Sequence, residues 1–314
     1  MLPIHVAVGV IQDSEGRILL SRRHDHVHQG GLWEFPGGKV ERREDLSQAL
    51  RREIREELGI EVMTHQPLIS ITHAYPDKSV RLDVHRVLKF AGRPIGLEGQ
   101  PVEWVAVDEL ANYPMPAADQ PICNALKLPD TYLITGSDPQ DIASFLKRLE
   151  ASLGRGVRLV QLRAPELTIE AYQRLAGMAY PLCQRYGAKM LVNIPVEQYE
   201  AVDADGLHLT SNQLLSQSKR PVGEDEWLSA SCHNQNELAQ AAAIGVDFCL
   251  LSPVLVTASH PGANTLGWDQ FKSMVERVNF PVYALGGMDA SMIKQAQYAG
   301  AQGIAAISAL WQDN

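Results

Sequence analysis

The chain has 314 residues, 45% hydrophobic and 21% charged, with a formal net charge of -9. That length supports two domains with separate cores, and the acidic balance argues against a nucleic-acid polymer as main partner, because phosphate backbones select basic surfaces. Cys123, Cys183, Cys232 and Cys249 form no CxxC pair and read as buried or free thiols of a reducing compartment. No basic-then-apolar leader opens the sequence and no run is long enough to span a bilayer, so a cytoplasmic protein with no membrane partner is expected.

The first elements are strand-like: "HVAVGVI" and "RILLSRR", joined by the turn "DSEG". Then comes Gly37 to Ile60, "GGKVERREDLSQALRREIREELGI". A helix counted from near Asp45 at about 3.6 residues per turn has an apolar stripe of Leu46, Ala49 and Leu50. Glu53, Glu56 and Glu57 fall on that stripe, while Gln48, Arg51, Arg52 and Arg55 take the outward side. A solvated acidic face would be placed the other way round, and Glu53 and Glu57 repel as i,i+4 neighbours. Acids crowded inward call for a cation, and oxygen-only ligands favour Mg²⁺, with Mn²⁺ as the alternative.

Further strand candidates follow in "PLISITHAY", "VRLDVHRVLKF" and "EWVAV". "NYPMPAADQPICNALKLPD" is proline-rich at both ends around a short helical piece, and its second proline cluster sets the expected boundary between domains 1–129 and 130–314. Beyond it, strand and helix alternate. The strand candidates are "TYLITG", "RLVQLRA", "KMLVN", "DGLHLT", "LSASCH", "VDFCLLSPV", "PVYALGG" and "GIAAIS". Helical stretches such as "DIASFLKRLEASLG", "IEAYQRLAGMAYPLCQRYG", "NELAQAAAIG" and "SMIKQAQYAG" lie between them. Eight such units predict a (β/α)₈ TIM barrel behind an α/β domain with a mixed sheet.

Gly38, Glu44 and the run Arg52-Glu53-Ile54-Arg55-Glu56-Glu57-Leu58-Gly59-Ile60 stand at the complete spacing of the Nudix signature. With "LWEFPGGK", "EGQPVEW" and "MPAADQP", residues Ile4 to Leu128 resemble the MutT-type Nudix hydrolases. The resemblance implies a Mg²⁺-dependent hydrolase that splits a nucleoside triphosphate into monophosphate and pyrophosphate, 8-oxo-dGTP being the type substrate. It implies metal ligands at Glu53, Glu56, Glu57 and Glu98 with a backbone carbonyl from Gly37–Gly38, and Glu53 as general base with Glu44 as alternative. It also implies Arg52 as the residue orienting the glutamates and Lys39 as a phosphate contact. The base pocket would be lined by Arg23, His28, Glu34, Phe35, Pro36, Gly37 and position 119. Asparagine is the pattern at position 119; this chain has Asp119. An ionised aspartate repels O6 of 8-oxoguanine; the residue could still serve if protonated in an apolar pocket, or by accepting from N1–H and the 2-amino group.

Residues Tyr132 to Leu310 resemble thiamin phosphate synthase and its relative, the thiazole tautomerase, through "LVQLRA", "DGLHLTS", "LSASCHN", "VDFCLLSPVLVTASHPG" and "YALGGM". The resemblance implies a phosphate or ligand site at Arg163, Gly286, Gly287, Ile307 and Ser308, with Ser231 near a pyrophosphate and His233 as an acid/base. Ile194 and Gln213 stand where the synthase has metal-binding aspartates, and His260 lies near the place of a lysine. Little or no synthase activity is therefore expected. The barrel would bind a small phosphorylated thiamin-pathway ligand, act as a regulator or serve as structure; the alternatives are a first domain that hydrolyses damaged thiamin-pathway pyrophosphates, or a bifunctional hydrolase and thiamin phosphate synthase.

Overall fold

A computed structural model describes residues 3–27, 29–136, 141–257, 262 and 264–311. The chain divides into two compact units, Met1–Lys127 and Leu128–Asn314.

The first unit runs β1 (Ile4–Ile11), β2 (Ile18–Arg22), β3 (Trp33–Glu34), β4 (Gly37–Lys39), α1 (Leu46–Leu58), β5 (Glu61–Ala74), β6 (Ser79–Ala91), β7 (Val102–Val105) and α2 (Gln120–Lys127). One sheet has the order β4-β1-β6-β5, parallel between β1 and β6 and antiparallel elsewhere; a second has the order β3-β2-β7, wholly antiparallel. The expected mixed sheet is therefore present. Strand alternation divides the core: Ala7 and Ile11 of β1 pack with Leu50, Ile54 and Leu58 of α1, whereas Val8 and Val10 pack with Ile122 and Leu126 of α2.

Helix α1 starts where the sequence asks it to. Asp45 and Gln48 form a capping box, and Gly59 closes the helix with φ 68° and its N–H on Arg55 O. β3 and β4 were not among the strand candidates, because Pro36-Gly37-Gly38 has low strand propensity. They form through close approach. Gly37 lies at φ 151°, and a Cβ there would overlap Ala7 O of the paired β1.

The second unit closes eight parallel strands into a barrel: β8 (Thr131–Ile134), β9 (Leu159–Leu162), β10 (Lys189–Val192), β11 (Gly206–Leu209), β12 (Trp227–Cys232), β13 (Phe248–Leu251), β14 (Val282–Leu285) and β15 (Gly303–Ala306). Seven fall inside the predicted runs and β12 starts one residue before its run, at Trp227; their near-continuous burial explains why each reads as an apolar run. The helices are α3 (Ile142–Gly154), α4 (Ile169–Arg185), α5 (Ser211–Ser216), α6 (Gln235–Ala243), α7 (Gly267–Val275) and α8 (Ile293–Tyr298). α5 and α7 were not among the helical stretches singled out from the sequence, and a 3-10 turn at Val196–Ala201 lies between β10 and β11. Tyr132 of β8 touches the rings of His208, Phe248 and Tyr283, on strands that are not its neighbours, so these side chains fill the lumen. Leu128 packs into the same interior cluster, and the Pro129 carbonyl accepts from Tyr283 OH at 2.6 Å. Among the described residues, no helix is long and apolar enough to cross a membrane.

Candidate active site

In the first unit a cleft of about 360 Å³ is lined by Arg23, Glu34, Phe35, Gly37, Gly38, Lys39, Glu57, Glu98 and Asp119 of the expected residues. Helix α1 supplies its acidic wall. The Cα trace places Gly38 against Glu53 so closely that a Cβ at Gly38 would overlap the Glu53 carboxyl group. Gly37 N–H donates to Glu57 Oε2 at 3.1 Å. The loop carrying Glu98 hangs from the end of α1: Leu97 N–H and Gln100 Nε2 both donate to Glu57 O (2.9 and 3.0 Å), and Gln100 Oε1 accepts from Glu98 N.

Two expected placements are corrected. Glu56 does not face inward; its side chain is 58% exposed against 17% for Glu53, because Leu50, Ile54 and Leu58 centre the buried stripe and Glu56 lies outside it. Arg52 does not point outward. It is 26% exposed and its guanidinium binds Glu44 at 2.7 and 3.1 Å, Glu53 at 2.9 Å, Glu56 at 3.2 Å and Lys39 O at 3.0 Å. Glu44 first, then Glu53 and Glu56 against the opposing effect of burial, raise the Arg52 pKa further above its already high value, and Arg52 in turn holds the Glu44 carboxyl below the usual carboxylate range. Pro36 is buried and its carbonyl accepts from Gly9 N–H, a structural task, while Phe35 is buried in the core with one edge on the cleft. His28 lies outside the described residues.

The electrostatics are those of a crowded acidic site. Burial first, then the charge of Glu34, push the Glu57 carboxyl up to about 8, with Glu53 and Glu98 adding to the shift and the Gly37 N–H opposing it. Burial first, then Glu34, push Asp119 up to about 8 as well, with Arg23 opposing. Arg23 is paired with Glu34, whose own pKa is raised by burial. Among the described residues, no three His, Cys, Asp or Glu side chains are gathered closely enough to hold a metal ion. The donor set nevertheless fits a hard divalent cation. It is all oxygen, and the mutual repulsion around Glu57 is what such a cation offsets.

The sequence reading missed Tyr75 and Lys78, which line the cleft from the hairpin between β5 and β6. Tyr75 N–H closes the turn on Lys78 O at 2.7 Å, and the phenol lies close enough to Asp119 to be raised by it, after burial. The signal available was "YPDK", a tight turn carrying an aromatic and a cation between two long strands.

Gly38 gives a direct test of this packing. Gly38→Ala should push the Glu53 carboxyl out of its place beside β4, a displacement read by crystallography of the variant, while circular dichroism stays that of the parent.

In the barrel, Arg163, Ser231, His233, Gly286, Gly287, Ile307 and Ser308 all stand at or just beyond the C-terminal ends of β9, β12, β14 and β15. Gly286 and Gly287 take φ values of 99° and 71° and pack against the segment Pro253–Val256 after β13. His233 Nδ1 lies 2.9 Å from Ser252 O, and its backbone N–H donates to Glu237 Oε2 at 2.7 Å. Ser231 Oγ lies 2.9 Å from His208 Nε2. Gln213 is engaged twice: its Oε1 accepts from Thr210 as part of the α5 capping box, and its Nε2 donates to Ile194 O at 2.8 Å. His260 lies outside the described residues.

Residues 7–125 match the family model of the NUDIX domain, and residues 131–310 match that of thiamine monophosphate synthase. A putative thiamine-phosphate synthase 2 of Aquifex aeolicus is 37% identical over 183 residues, 58% of this chain and 98% of that protein. Among solved structures, a MutT of Aliivibrio salmonicida or Vibrio cholerae is 39% identical over 40% of this chain and 97% of its own, with a TM-score of 0.36. A thiamine phosphate pyrophosphorylase of Pyrococcus furiosus is 23% identical over 59% of this chain and 88% of its own, with a TM-score of 0.50.

Proposed function

The chain carries a NUDIX hydrolase domain and belongs, through its larger part, to the thiamine monophosphate synthase family, and from that premise we propose that the first unit is a Mg²⁺-dependent nucleoside triphosphate pyrophosphohydrolase acting on oxidised purine nucleotides such as 8-oxo-dGTP. The supporting observation is one cleft lined both by an acidic wall (Glu57 and Glu98, with Glu53 behind Gly38) and by the aromatic rings of Phe35 and Tyr75 with Asp119. Glu53, Glu57 and Glu98 would hold the cation, with a carbonyl of Gly37–Gly38. When bound, the cation supplies neutralisation of phosphate oxygens and a water of lowered pKa. Glu53 takes the proton of the attacking water, and Arg52, braced by Glu44 and Lys39 O, fixes the Glu53 carboxylate. Lys39 and Lys78 meet the phosphate charge from the cleft wall. In-line attack at the β-phosphorus leaves the nucleoside monophosphate and pyrophosphate.

Asp119 fits a purine that presents both a donor and an acceptor. With its pKa near 8 it carries its proton at neutral pH, so one oxygen donates to O6 while the other accepts from N7–H. We expect kcat/KM for 8-oxo-dGTP to fall as pH rises through about 8, and Asp119→Asn to remove that alkaline limb while keeping activity at pH 7 within roughly tenfold. A panel of normal and oxidised nucleotides tests the reading itself. Equal turnover of dGTP and 8-oxo-dGTP removes the oxidised-purine assignment and leaves the hydrolase. The attached barrel favours a second substrate reading, damaged thiamin-pathway pyrophosphates, and thiamin diphosphate analogues in the same panel decide it.

The barrel fits a small phosphorylated ligand bound without synthase chemistry. Its support is the Gln213 amide bonded to Ile194 O, an arrangement with no carboxylate at either position to hold a hard cation. The likeness to a named synthase over the whole barrel favours the opposite reading, a bifunctional hydrolase and synthase. Formation of thiamin phosphate by the purified chain from its pyrimidine and thiazole precursors would establish that reading; none would leave ligand binding.

A further inference from the structure

The barrel lumen contains a chain of hydrogen bonds that the reactions above leave unused. His208, on β11, is 1% exposed. Its Nε2 lies 2.9 Å from Ser231 Oγ, and its Nδ1 lies 3.1 Å from Ser229 Oγ and 3.4 Å from Tyr132 OH. Ser229 also bonds the Tyr132 phenol. A serine against an imidazole suggests a nucleophile and its base. Counting protons leads to the reverse.

A neutral imidazole carries one N–H and one lone pair. Tyr132 and Ser229 are both buried, and each brings one hydroxyl proton that needs an acceptor. Were the proton on Nδ1, it would go to Ser229 Oγ and Ser229 would donate to Tyr132, leaving the Tyr132 proton no acceptor within the cluster. With the lone pair on Nδ1, one hydroxyl donates to it and the other donates to its neighbour, so every proton is used. The N–H is then on Nε2 and donates to Ser231. Burial, then the charge of Arg163, push the His208 pKa down to about 3, so the ring stays neutral. The Asn193 amide donates to the His208 carbonyl at 2.8 Å and leaves the ring unaffected.

We propose that His208 is a positioning residue locked as the Nε2–H tautomer, which saturates one lone pair of Ser231 and leaves the serine's own proton to bind an anionic oxygen of a ligand rather than to be lost in nucleophilic attack. Ser231, half-buried one residue from the C-terminal end of β12, has no acceptor for that proton among the described residues. The proposal rests on the reading of the barrel as a site for a phosphorylated ligand, and its test separates the two.

Long-range ¹H–¹⁵N correlation spectra of the histidine-labelled full chain report the tautomer without any ligand. His208 is assigned by loss of its signals in His208→Gln or, should that variant not fold, by the shift in Ser231→Ala. The expected result is a protonated Nε2 and a bare Nδ1, unchanged from about pH 5.5 to about 8.5 and retained in Ser231→Ala, because the lock comes from Tyr132 and Ser229. A fluorophosphonate should leave Ser231 unlabelled by mass spectrometry, and inorganic pyrophosphate should bind about tenfold more weakly to Ser231→Ala in calorimetry with chelator present. A protonated Nδ1, titration of His208 near its ordinary pKa, or a labelled Ser231 overturns the proposal. A parent chain that binds no pyrophosphate despite the Nε2–H tautomer overturns the phosphate reading of the barrel and leaves the assignment of His208 standing.

Discussion

Glu53→Gln should lower kcat for nucleotide hydrolysis by about 1,000-fold or more, with KM changed by less than about threefold. The amide keeps the size of the side chain under Gly38 and can keep one contact with Arg52, so the fold should survive. What it loses is the proton acceptor and one hard ligand. Removal of Mg²⁺ by chelator should produce a comparable loss in the parent and little further loss in the variant, because both act on the same step. Steady-state assays with the preferred nucleotide give the result. A variant that hydrolyses at the parental rate would remove Glu53 from the chemistry altogether.

The second large effect is on stability. In the cation-free protein, Glu57 has a folded pKa of about 8 against an ordinary 4.5, and Asp119 one of about 8 against 3.8. Both pKa values are raised on folding, so the folded state binds the extra protons and stability is greatest below the ordinary values. It is lost as pH rises toward 8. Each unit of displacement is worth about 1.4 kcal/mol, which puts the loss on the order of a few kcal/mol for each of the two groups between about pH 5 and about pH 8. In calorimetry with chelator, the transition of the first unit should move to lower temperature across that window, and Mg²⁺ at pH 8 should restore it. Glu57→Gln should flatten the slope while abolishing most activity. A transition that stays level with pH in the parent would refute the crowding of acids on which the cation site is built.

How much of this was visible beforehand depends on which force places each residue. Helix α1 was legible because its cap, its apolar spacing and its closing glycine are all local. The eight barrel strands were legible because strands covered on both faces need apolar residues in runs. The placements of Glu56 and Arg52 were misread for two different reasons. Three apolar residues near the start of the helix fixed the stripe, whereas Ile54 and Leu58 at its end turn it far enough to exclude Glu56. Arg52 leaves solvent by reaching Glu44 and Lys39 O, which precede the helix and which helix periodicity does not show. β4 was invisible because its glycines serve close approach rather than propensity. Tyr75 and Lys78 were missed because a hairpin turn acquires its target only when the sheet folds. For Asp119 the sequence could pose the question of its proton, but the answer needed burial and the nearness of Glu34, which are tertiary facts.

The main-chain suspension of the Glu98 loop from Glu57 O has a consequence for how such a domain can change over time. The last turn of the helix is a shared anchor, so the two carboxylate sources travel together if the helix shifts. The long hairpin of β5 and β6 between them is relieved of that duty. Its tip can then be lengthened, shortened or exchanged to suit a new nucleobase, while the phosphate end keeps its calibration.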